Sequence, residues 1–123
     1  PESARPEGDA AAFGSIAVPV MTITGTEDTV PITSATAEDR IRPYEAMPAG
    51  EKYLLVFEGA NHAAFSGNWR RRPGLAPDPR VVDGVSEVTT LFWRAYLADD
   101  AAAKDELAAF GGTLSAEDRF AAK

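Results

Sequence analysis

Asp28 and His62 are the two residues from which chemistry can be built in this chain of 123 residues. His62 is the only histidine, and there is no cysteine. Imidazole is the side chain whose ordinary titration falls nearest neutral pH, so His62 is the natural general base. Each of the two stands just beyond an apolar run, Asp28 after Thr24 and His62 after Phe57. A carboxylate beside an imidazole accepts its Nδ1 proton, fixes the tautomer and stabilises the imidazolium, which leaves Nε2 to face a reacting group. The plainer readings are a polar turn for Gly25-Thr26-Glu27-Asp28 and a solvated loop residue for His62. A zinc site is poorly supplied, because one histidine with Glu27, Asp28 or Glu58 is too few ligands. The missing cysteines exclude disulfides and Cys-based zinc sites within this stretch.

The elements that must position the pair follow from hydrophobic pattern. Val18 to Thr24 is β-branched and apolar on both faces, as in a strand covered on both sides, with Pro19 near its entry. Lys52 to Phe57 holds a second unbroken apolar run, Tyr53-Leu54-Leu55-Val56-Phe57. Between them, Thr33 to Met47 carries helical signals: Thr33 or Ser34 as cap, acidic Glu38 and Asp39 early, and Ile41, Tyr44 and Met47 on one face. Pro43 predicts a break or kink. Strand, helix, strand is a βαβ unit, and ligands of such sheets sit beyond the carboxyl ends of the strands. Two parallel neighbours about 5 Å apart would bring Asp28 and His62 to one rim.

The remaining segments frame this unit. Pro1 to Ala12 reads as a linker or loop, and the α/β domain is expected over 13–123. Glu58 to Asp83, with its glycines and prolines, reads as a long irregular segment containing Trp69 and Arg70-Arg71-Arg72. The arginine run reads as solvated surface, with an anion site as the lesser alternative. Val81 to Ala98 is an amphipathic helix whose stripe of Val85, Val88, Leu91, Phe92 and Ala95 covers a sheet. A further helix is expected over Ala101 to Phe110, stopped by Gly111-Gly112, and a last short helix from Ser115.

Composition sets outer bounds. Apolar residues make up 45% of the chain, which is sufficient for a packed core. A net charge of −7 argues against non-specific nucleic-acid binding. No run is long and apolar enough to span a membrane. The compartment is not legible in the sequence.

At the two strand ends the chain resembles the C-terminal part of an α/β-hydrolase. Val-Pro-Val-Met-Thr-Ile-Thr-Gly-Thr-Glu-Asp-Thr-Val-Pro is similar to that fold's penultimate strand and acid turn, and Lys-Tyr-Leu-Leu-Val-Phe-Glu-Gly-Ala-Asn-His to its last strand and histidine turn. Leu91 to Leu97 resembles the closing helix. The nearest group is the dienelactone-hydrolase-like and acetylhydrolase-like enzymes. Acid before base also agrees with the fold's chain order of nucleophile, acid, base. The resemblance implies a nucleophile–His–Asp triad acting on carboxylic esters or related acyl substrates, with Asp28 as acid, His62 as base, and no cofactor or metal. Ala63, Phe65 and Trp69 follow the histidine and can wall the substrate pocket, or simply pack.

The resemblance lacks its nucleophile. None of Ser3, Ser15, Ser34, Ser66, Ser86 and Ser115 sits in a Gly-x-Ser-x-Gly frame, and the oxyanion-hole loop is missing. The expectation is therefore a C-terminal portion, inactive alone, whose partner is the N-terminal half of the same enzyme. In this fold that nucleophile can be Ser, Cys or Asp. The alternative of another class is a non-catalytic α/β interaction or assembly module.

Overall fold

The computed structural model describes residues 8–29, 35–65 and 78–123. These residues form a mixed α/β structure around a three-stranded sheet in the order β1-β2-β3. The elements in chain order are α1 (Asp9–Phe13), β1 (Val20–Glu27), α2 (Ala37–Ala46), β2 (Lys52–Asn61), α3 (His62–Phe65), α4 (Pro79–Leu97), α5 (Ala101–Ala109), a 3₁₀ turn (Phe110–Thr113) and β3 (Arg119–Ala122).

β2 is the centre because its side chains are apolar on both faces. Tyr53, Leu55 and Phe57 point into a core built with Val81, Val88, Leu91, Phe92 and Ala95 of α4 and Leu107 of α5. Leu54 and Val56 point the other way, onto Tyr44 of α2. This period of two is the pleat of a strand sandwiched between helical layers. Phe92 and Phe120 both lie about 6 Å from the Tyr53 ring, at 6.2 and 6.1 Å, and the Tyr53 hydroxyl meets that of Tyr96 at 2.7 Å.

β1 and β2 run parallel, from Val20 opposite Lys52 to Gly25 opposite Phe57. Beyond that the register slips, and Glu27 comes opposite Asn61. The bulge lies on β2, where Gly59 adopts φ +70° and its N–H donates to Thr26 Oγ1 at 2.8 Å. The bulged backbone crosses close over Gly25. A Cβ built there would sit 2.1 Å from the Ala60 carbonyl oxygen, so only glycine fits.

Several boundaries differ from expectation. Both strands run three or four residues further than their apolar cores, because ladder bonds continue through Gly25–Glu27 and Glu58–Asn61. α2 starts at a capping box formed by Thr36 and Asp39, and it runs through Pro43 without ending. Thr33 and Ser34 lie outside the described residues. Burial of Tyr44 against β2 outweighs the local cost of the proline.

Two corrections are larger. Asp9 to Ala12, within the segment read as linker or loop, form with Phe13 a helical turn (Asp9–Phe13) tied to α2 by an ion pair from Asp9 to Arg42 at 2.7 Å. The segment read as a last short helix is instead strand β3, antiparallel to β2 from Val56–Arg119 to Tyr53–Ala122. Ser115 still bonds Asp118, at 3.1 Å, but the chain then extends because β2 offers an open edge. Among the described residues the sheet is therefore three-stranded and mixed rather than two-stranded and parallel. Among the described residues, no helix is long and apolar enough to cross a membrane.

Candidate functional site

Asp28 follows the last residue of β1, and His62 follows the last residue of β2. Parallel pairing puts both at the carboxyl rim of the sheet, and the β2 bulge sets the final alignment. His62 Nδ1 lies 2.9 Å from Asp28 Oδ1. An ionised carboxylate only accepts, so Nδ1 carries the proton, and in the neutral ring Nε2 is left with a lone pair facing away from Asp28.

Asp28 is nearly buried, at 6% exposure, whereas the His62 side chain is 59% exposed. The carboxylate is thus fixed from below and the imidazole faces outward. The second oxygen, Oδ2, accepts from Thr24 Oγ1 at 3.0 Å, inside the strand. The Asp28 N–H donates to the Gly25 carbonyl at 3.1 Å, closing the turn. Arg40, in the first turn of α2, brings its Nε to 3.8 Å from Asp28 Oδ1. Three elements therefore converge on one carboxylate, and buried charge is tolerated because each oxygen has a partner.

The histidine turn has its own support. Asn61 Oδ1 accepts from the Ala63 N–H at 3.0 Å, which fixes the start of α3. Below it, the Asp118 carboxylate is buried and receives the Glu58 N–H at 2.9 Å, the Ser115 hydroxyl and the Arg80 guanidinium. Arg80 also donates to the Glu58 carbonyl at 2.8 Å. Burial would push the Asp118 carboxyl up, but its hydrogen bonds from Arg80, Glu58 and Ser115 outweigh this and hold it below the ordinary range. This cluster clamps the end of β2 to α4 and to the approach to β3.

The expected pocket residues separate. Ala63 is exposed on α3. Phe65 turns inward, 6.4 Å from the Phe57 ring, and with Ile23, Val81 and Val85 it lines an apolar cavity of about 390 Å³. Trp69 and the run Arg70-Arg71-Arg72 lie outside the described residues. Among the described residues, no group of three or more His, Cys, Asp or Glu side chains could hold a metal ion. His62 makes no hydrogen bond to a described serine; its side-chain partner among these residues is Asp28.

Sequence reasoning missed Thr24 and Arg40. Thr24 had a usable signal, being a hydroxyl four residues before the acid at the end of a strand. Arg40 had none, since its approach depends on how α2 packs. Compared with protein-family models, curated proteins and solved structures, the chain matches none of them at a significant level.

Proposed function

We propose that Asp28 and His62 are the acid and base of a hydrolase of the α/β-hydrolase type, acting on carboxylic esters or related acyl substrates. The observation that carries this reading is the 2.9 Å contact at the rim of two adjacent parallel strands, with the acid buried and the imidazole exposed. In the reaction, His62 Nε2 takes the proton of an attacking nucleophile and returns it to the leaving alcohol. Asp28 keeps the Nδ1–H tautomer and stabilises the imidazolium formed in between.

The nucleophile and the oxyanion hole come from outside this chain in this reading, because no serine here stands in the nucleophile frame. The sheet supports such a completion. β1 is an edge strand, and among the described residues nothing pairs with its outer side. An edge of that kind is where a further strand is added.

The test uses the full polypeptide that carries these residues, exposed to a fluorophosphonate probe. Labelling of a serine outside residues 1–123, slowed at least a hundredfold by His62→Ala, is expected. Labelling at an unchanged rate in a folded His62→Ala protein would overturn the reading. A cysteine nucleophile would show as lactone turnover, and an aspartate nucleophile as epoxide or halide turnover, in each case without labelling.

A further inference from the structure

Two arginines lie on α2, and the structure treats them differently. Arg42 is committed to Asp9 at 2.7 Å and to Asp39 at 2.9 Å. Arg40 turns to the sheet rim, where its Nε is buried and has no hydrogen-bond partner among the described residues. At 3.8 Å from Asp28 Oδ1 it is too far for a direct hydrogen bond and close enough for a strong charge interaction. The same oxygen holds His62 Nδ1.

We propose that Arg40 is a positioning residue that shares Asp28 with His62 and holds the carboxylate where the imidazole keeps its Nδ1–H toward it and its Nε2 outward. The inference rests on the acid–base reading of the pair. A guanidinium facing Asp28 Oδ1 restrains the carboxylate from the α2 side, while Thr24 restrains its other oxygen from β1. The carboxylate so held keeps the Nδ1–H of His62 directed at it. The groups facing Asp28 are Thr24 from β1, Arg40 from α2 and His62 from α3. Glu27 lies next to Asp28 and is exposed, opposite Asn61 in the ladder.

The ring nitrogens of His62, assigned by their loss in His62→Ala, report its tautomer by NMR in the full polypeptide. Arg40→Met and Arg40→Gln should each lower the share of the Nδ1–H tautomer. Arg40→Lys should keep the parent's share, because the charge stays. Asp28→Asn should lower it too. Two neutral variants are read together so that loss of packing in one does not decide the result. An unchanged share in both, with Asp28→Asn still lowering it, would overturn the role of Arg40 and leave the pair intact. A share insensitive to Asp28→Asn would overturn the pair itself.

Discussion

Asp28 Oδ1 and His62 Nδ1 meet at 2.9 Å although 34 residues separate them in the chain. The contact is made by topology. Two parallel strands deliver their next residues to one rim, and a bulge on the second strand completes the approach. The carboxylate is held in turn by the Thr24 hydroxyl on its other oxygen.

Thr24→Val removes that hydroxyl with little change of shape. Asp28 Oδ2 then faces the strand without a donor, and stability should fall by about 1–2 kcal/mol. Urea unfolding measures the loss. Nitrogen-detected NMR of the His62 ring should also show less of the Nδ1–H tautomer, because the carboxylate is no longer fixed. An unchanged midpoint and tautomer would show that Thr24 supports neither the fold nor the pair.

Gly25→Ala tests the close crossing of β1 and β2. The added carbon would lie 2.1 Å from the Ala60 carbonyl oxygen and 2.6 Å from the Ala60 Cβ, and neither atom belongs to a flexible side chain. Destabilisation of about 3 kcal/mol or more is expected. Gly112→Ala is the control, since a Cβ there meets nothing within 4 Å. Similar unfolding midpoints for the two variants would contradict the described register.

Asp118 makes acid stability testable. Its folded carboxyl titrates below the ordinary range, since hydrogen bonds from Arg80, Glu58 and Ser115 outweigh the opposing effect of burial. A carboxyl lowered by folding contributes stability above its unfolded value near 3.9. That contribution is lost as pH falls through the lower folded value. Asp118→Asn should cost about 1–2 kcal/mol at pH 7, a modest figure because Arg80 is one-third exposed. Its stability should also vary less between pH 4 and pH 2 than the parent's. Parallel stability–pH curves would remove the clamp at the end of β2.

Much of the architecture was legible because it rests on apolar periodicity. The runs at Val18–Thr24 and Lys52–Phe57 announced their strands, the first beginning two residues before β1, and the stripe on α4 announced the helix that covers them. The contact between Asp28 and His62 was legible because each closes one of those runs. β3 was not. Arg119-Phe120-Ala121-Ala122 is four residues with one large apolar side chain, and it becomes a strand only because β2 leaves an edge for it. Local capping signals at Ser115 pointed to a helix, and tertiary pairing overrode them. The tails of both strands were hidden for the reverse reason: Gly25 and Gly59 look like turn residues but serve a close crossing and a bulge. Arg40 could not be singled out, since only the placement of α2 tells it apart from Arg42.

The central claim is that Asp28 and His62 act together on a proton during ester hydrolysis. Its most direct measurement is the turnover of a short-chain aryl ester by the full polypeptide, compared for parent, Asp28→Asn and His62→Ala at equal folded concentration. Both variants should lose roughly 10³–10⁴-fold in kcat, with a smaller change in KM. Turnover within a few fold of the parent in both variants would contradict the account.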